Sequence, residues 1–99
     1  MQIVPLKAVA SQTLATRLAE QNVTLDVYQK STGLYIDVQK DNSPIVTGVL
    51  CRNRVITIRH QYLGFIGDLA FVDTQGNDDP RYDGLGDRWL LTYLSPSEV

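Results

Sequence analysis

The chain has 99 residues, an apolar share of 43% and a formal net charge of −2. That makes one domain, 1–99, with a thin core and too much apolar character for disorder. The weak charge excludes a global drive toward nucleic acid or acidic lipid, and the single Cys51 excludes an internal disulfide, as suits a reducing compartment or a particle assembled in one.

The first ten residues, "MQIVPLKAVA", hold only a short apolar run with Lys7 inside it. A secretory leader needs a charged start and a longer apolar stretch, so "AVA" at 8–10 is not read as a cleavage site. No run approaches the length of a membrane span, and we expect a soluble protein made inside the cell. Next comes "SQTLATRLAEQN". Ser11 could cap a helix, with Leu14 and Leu18 at helical spacing, or Leu14, Thr16 and Leu18 could share one face of a strand. The strand is preferred because hairpin follows hairpin in the rest of the chain.

In "VTLDVYQK", Val23, Leu25 and Val27 alternate with Thr24, Asp26 and Tyr28; in "LYIDV", Leu34, Ile36 and Val38 alternate with Tyr35 and Asp37. A period of two puts each apolar set on one face of a half-buried strand. "KSTG" between them makes a hairpin, and "QKDNSP" turns the chain into "IVTGVLC", where Gly48 marks a bulge or a close backbone approach. "NRVITIRH" alternates Val55, Thr57 and Arg59 against Ile56 and Ile58. "FIGDLAFVD" sets Phe65, Leu69 and Phe71 on one face, and "RWLLTYL" sets Trp89, Leu91 and Tyr93 on another. The expected fold is all-β: a small antiparallel β-sandwich or β-barrel built from consecutive hairpins.

One stretch stands apart. "DTQGNDDPRYDGLGDR", Asp73 to Arg88, carries five aspartates, two arginines, three glycines and a proline. It does not fit a calcium-loop spacing: counted from Asp73, the glycine position holds Asp78. Aspartate is a common turn residue, because its side chain bonds nearby backbone amides, so a solvated turn-rich loop is favoured over an acid–base pair. Cys51 and His60 invite a nucleophile–base reading, but a lone Cys on an apolar strand is usually a small core residue. No Cys or His cluster suits zinc and no glycine-rich phosphate loop is present. Arg52, Arg54, Arg59 and His60 form a basic stretch near Tyr62, for which a nucleic-acid surface competes with a positive edge that meets an acidic partner.

The ordered set "SQTL…QNVTL", "GLYIDV", "PIVTGVLC" and "DDPRYDGLGDRWLLTYL" resembles the phage baseplate plug family. The resemblance spans nearly the whole chain, and Gln12, Gln21, Asp79, Pro80, Leu85, Gly86, Arg88 and Tyr93 match the family pattern. It implies a structural virion protein of a phage or prophage contractile tail, made in the host cytoplasm and placed in the baseplate near the hub, where it helps close the distal end of the tail channel. It implies no catalysis, metal or cofactor; its partners would be other baseplate proteins and further copies of itself, with no membrane or nucleic acid. On that reading, Asp73–Arg88 is an ordered docking loop, since a long loop in a compact domain tends to be functional or disordered. The candidate docking residues are Asp78, Asp79, Arg81, Tyr82, Asp83 and Asp87, and the candidate basic contact edge is Arg52, Arg54 and Arg59. The alternative is a small β-barrel binding module for single-stranded nucleic acid or carbohydrate.

Overall fold

The computed structural model describes residues 2–58 and 66–97. The run from Ser11 forms a strand rather than a helix, and it opens a four-stranded antiparallel meander of β2 (Ser11–Leu18), β3 (Gln21–Lys30), β4 (Gly33–Lys40) and β5 (Ser43–Leu50), following a short β1 (Gln2–Val4). A second antiparallel sheet has the order β1-β7-β6, with β6 at Asp68–Asp73 and β7 at Trp89–Leu94. The two sheets pack as a small β-sandwich.

The alternation read from the sequence decides which side chains enter the core. Val23, Leu25 and Val27 of β3 and Leu34, Ile36 and Val38 of β4 are all buried, and they meet Leu69, Phe71, Trp89, Leu91 and Tyr93 from the other sheet. Each such side chain contributes about 1.5–3 kcal/mol when fully buried. β6 is covered on both faces, so its residues are buried almost without alternation. Two of the tight turns are left-handed at both residues: Ala19 (φ 49°) and Glu20 (φ 63°) join β2 to β3, and Asp41 (φ 51°) and Asn42 (φ 66°) join β4 to β5. Left-handed turn residues match the right-handed twist of a hairpin. Asp and Asn suit that geometry, whereas Ala and Glu adopt it at a cost.

"NRVITIRH" is not the strand its alternation predicts. Over its described part it forms isolated bridges with β6, Asn53 to Phe71 and Ile56 to Ala70, and no continuous ladder. The reason is local: Arg54 is left-handed (φ 62°), and the buried Asp68 carboxylate takes the N–H groups of Thr57 (3.0 Å), Ile58 (2.8 Å) and Leu69 (2.7 Å). A carboxylate holding adjacent amides replaces a regular ladder. Arg59, His60, Tyr62 and Phe65, all named above, lie outside the described residues.

Candidate docking surface

The loop from Asp73 to Arg88 joins β6 to β7, and its base is closed like a hairpin. Asp73 pairs with Trp89 in the ladder. The Thr74 N–H and hydroxyl both donate to the Arg88 carbonyl, at 2.8 and 2.7 Å. Above this base the Asp73 carboxylate, with no solvent exposure of its side chain, is fully used. Arg88 Nε and Nη2 donate to its two oxygens, each at 2.9 Å, and the backbone N–H groups of Gln75 and Asp78 complete the set, also at 2.9 Å. The two-pronged guanidinium–carboxylate pair is the strongest geometry open to these groups. The Arg88 hydrogen bonds, helped by the two amides and opposed by desolvation, hold the Asp73 carboxyl far below the usual carboxylate range. Arg88 in turn is pushed above its ordinary value by Asp73 and Asp78.

Trp89 anchors the same construction. It is buried, and its indole N–H donates to the Asp78 carbonyl at 3.0 Å. The Arg88 guanidinium lies 4.5 Å from its ring centre and that of Arg81 5.7 Å, both within cation–π reach. A short 3-10 turn, Tyr82–Gly84, then passes over the ring. Gly84 is required there for space: a Cβ would overlap Cε3 and Cζ3 of Trp89. Gly86 is required for conformation (φ +81°) and for its close approach to the Leu6 carbonyl. Leu85 is buried against Trp89, and Gly86 N–H donates to the Trp89 carbonyl at 2.9 Å. Pro80 is buried as well. The loop is therefore ordered by its own side chains.

The candidate residues divide by what they already hold. Asp78 makes an ion pair with Arg88 of its own chain, at 2.9 Å. Asp79 accepts the Asn53 N–H at 3.0 Å. Tyr82 is 40% exposed, with its backbone N–H on the Gln29 side chain at 3.1 Å. Arg81, Asp83 and Asp87 are exposed, and among the described residues the Asp83 and Asp87 carboxylates have no hydrogen bond or ion pair. Arg52 and Arg54 are exposed too, and they flank Asn53, which ties Asp79 on one side and the Asp73 N–H (2.8 Å) on the other. The Arg52–Arg54 part of the basic edge and the acidic loop, read separately from the sequence, are thus joined through Asn53 and Asp79. Neither Arg52 nor Arg54 lies in a strand, and Arg54 is left-handed.

Three features that organise this surface escaped the sequence reading: Asn53, Gln29 and the pairing of Asp73 with Arg88. The pair had a signal, since Asp73 ends one apolar run and Arg88 begins the next, where a hairpin must close. Elsewhere the chemistry is quiet. Burial pushes the Cys51 thiol up to about 12, which leaves it protonated and unreactive at neutral pH. Tyr28 and Tyr35 stack on each other at 6.0 Å, with Lys30 Nζ 5.4 Å from both ring centres, so they form a closed set rather than an open stacking platform. Among the described residues, no three His, Cys, Asp or Glu side chains converge as a metal site, and no helix is long and apolar enough to cross a membrane.

Comparison with known proteins gives one family. A family model described as cyanophage baseplate Pam3 plug gp18 matches residues 1–96. No curated protein matches the chain.

Proposed function

Because the chain belongs to the baseplate plug family, and is on that ground a structural protein of a phage tail baseplate, we propose that it sits on the axis of a contractile tail against hub components and helps close the distal end of the channel until infection. It does so without catalysis and without a cofactor. The observation that supports this reading is the split within the aspartate-rich loop. Asp73, Asp78 and Asp79 lock the loop to its own chain, while Tyr82, Asp83 and Asp87 are exposed, as are Arg52 and Arg54 on either side of Asn53. A preordered surface docks with little loss of conformational freedom, and its exposed charges select orientation and partner more than they supply affinity.

The test is Asp83→Asn with Asp87→Asn, which removes two outward charges and leaves the Asp73–Arg88–Asp78 network intact. The isolated domain should melt as wild type does, while incorporation into tail particles falls. Raised salt should weaken wild-type incorporation in the same way, because exposed pairs are screened. Normal incorporation of the variant would show that this loop is not the docking surface. Images of purified tails that place the chain off the axis would refute the plug position itself.

A further inference from the structure

The four outer edges of the two sheets are not equally protected. β6 is covered by the segment before it, since Arg54 N–H donates to the Phe71 carbonyl (2.7 Å) and Thr57 N–H to the Leu69 carbonyl (2.8 Å). β1 is only 3 residues long. β5 carries the usual defences of an edge: Pro44, register shifts against β4, and a left-handed Gly48 whose N–H is taken by Asp37 at 2.6 Å. β2 has none of these. It pairs with β3 in unbroken register over all 8 residues, "SQTLATRL", and carries a single charge, Arg17.

The pairing also shows which backbone groups are free. The turn at Ala19–Glu20 has two residues, so Leu18 and Gln21 close the hairpin as a hydrogen-bonded pair, and every second residue follows. Gln29 N–H donating to the Ala10 carbonyl at 2.8 Å, at the far end, has the same parity. The N–H and C=O groups of Ser11, Thr13, Ala15 and Arg17 therefore point away from β3. Among the described residues they have no partner.

We propose that this edge binds a second copy of itself, β2 against β2 in antiparallel register about a twofold axis at Leu14. That register sets Thr13 opposite Ala15 and Ser11 opposite Arg17, so every outward N–H and C=O meets a partner. It sets Gln12 opposite Thr16 on the inner face and brings the two Leu14 side chains together. Leu14 is half-buried and packed against the edge of the core, so the second copy completes its cover. No like charges meet, because each Arg17 faces a serine. The result is one continuous sheet from β5 of one copy to β5 of the other, ending on both sides at the defended edge. The inference does not depend on the channel-closing reading.

The experiment is sedimentation of the purified chain over a range of concentrations, with two variants. Ala15→Pro removes an outward N–H without touching the β3 ladder. Leu14→Cys, in a Cys51→Ser background, places thiols across a non-hydrogen-bonded pair, where Cα atoms approach to about 4.5 Å, close enough for a disulfide. Wild type should dimerise reversibly, folded Ala15→Pro should remain monomeric, and Leu14→Cys should give a covalent dimer on mild oxidation. Gln12→Cys in the same background, opposite Thr16 in this register, should not. A wild-type chain that stays monomeric at every concentration, or a dimer in which Leu14→Cys fails to cross-link, overturns the proposal. Should Ala15→Pro fail to fold, the cross-linking pair still decides.

Discussion

Gly84→Ala is the smallest change that asks whether the aspartate-rich loop is held by Trp89. The added methyl would overlap Cε3 and Cζ3 of the indole and lie 3.3 Å from the Arg88 Cβ. The indole has nowhere to retreat. It is 1% exposed, its N–H is bonded to the Asp78 carbonyl, and Arg88 lies on its face. Relief must come from the backbone of the 3-10 turn or from breaking the Trp89 bond. Overpacking of this kind costs about 1–3 kcal/mol. In a domain of this size each kcal/mol lowers Tm by roughly 4–8 °C. Gly76→Ala serves as the matched control: its Cβ would meet only Arg88 Nη2 at 3.3 Å and Asp73 Oδ2 at 3.5 Å, and removing a glycine from the unfolded chain returns about 0.4–1 kcal/mol. Thermal melts of the two variants should therefore diverge, with Gly84→Ala well below wild type and Gly76→Ala close to it. Trp89 is the only tryptophan, so its emission reports the same event and should shift to the red in Gly84→Ala alone. Equal melts and unchanged emission would refute the claim that the ring fixes the loop.

Three further outcomes follow from the same geometry. The Asp73 carboxyl titrates lower in the folded chain than in the unfolded one because Arg88 holds its charged form, so its stabilisation is fully present above the ordinary carboxylate pKa of about 4. That stabilisation is lost as pH falls through the lower folded value; Tm should drop on acidification, and Asp73→Asn should start lower at neutral pH and show a shallower acid slope. Burial pushes Cys51 up to about 12, so a thiol reagent at mildly alkaline pH should label the native chain far more slowly than the denatured one; labelling at the rate of a free thiol would contradict the buried position. Ala19→Asn with Glu20→Gly relieves two left-handed residues at about 1–2 kcal/mol each, partly offset by the unfolded-state freedom of glycine, so the urea midpoint should rise by an amount equivalent to about 1 kcal/mol; an unchanged midpoint would refute the turn geometry.

The core was legible wherever alternation coincided with burial on one face. Val23, Leu25 and Val27, with Leu34, Ile36 and Val38, could be placed correctly because β3 and β4 each have one buried and one wetter face. The same rule failed at Asn53–Ile58, where alternation is present but a distant side chain, Asp68, captures the backbone amides; a pattern counted along the chain carries no information about that. β1 was missed because 3 residues are too few to show a period. The choice between sandwich and barrel was open for a related reason, since closure depends on which edges pair and not on which faces are apolar. For the loop, composition showed that its glycines and aspartates served turns, but not which aspartates would be consumed internally. That division depends on Arg88 and Asn53, 15 and 20 residues from Asp73.

The pairing of β1 with β7, Gln2 opposite Tyr93, has a consequence for the time course of folding. The β2–β5 meander needs only neighbouring hairpins with tight turns, so its loop-closure entropy is small. The other sheet cannot be completed until residues from the two ends of the described chain meet, and contacts of that sequence separation form slowly. The meander is therefore the early unit and the β1-β7-β6 sheet the late one. During that interval the inner face of the meander, Val23 to Val38, is exposed while the β2 edge is already formed. Folding speed, and not only final stability, thus bears on whether newly made chains assemble or aggregate.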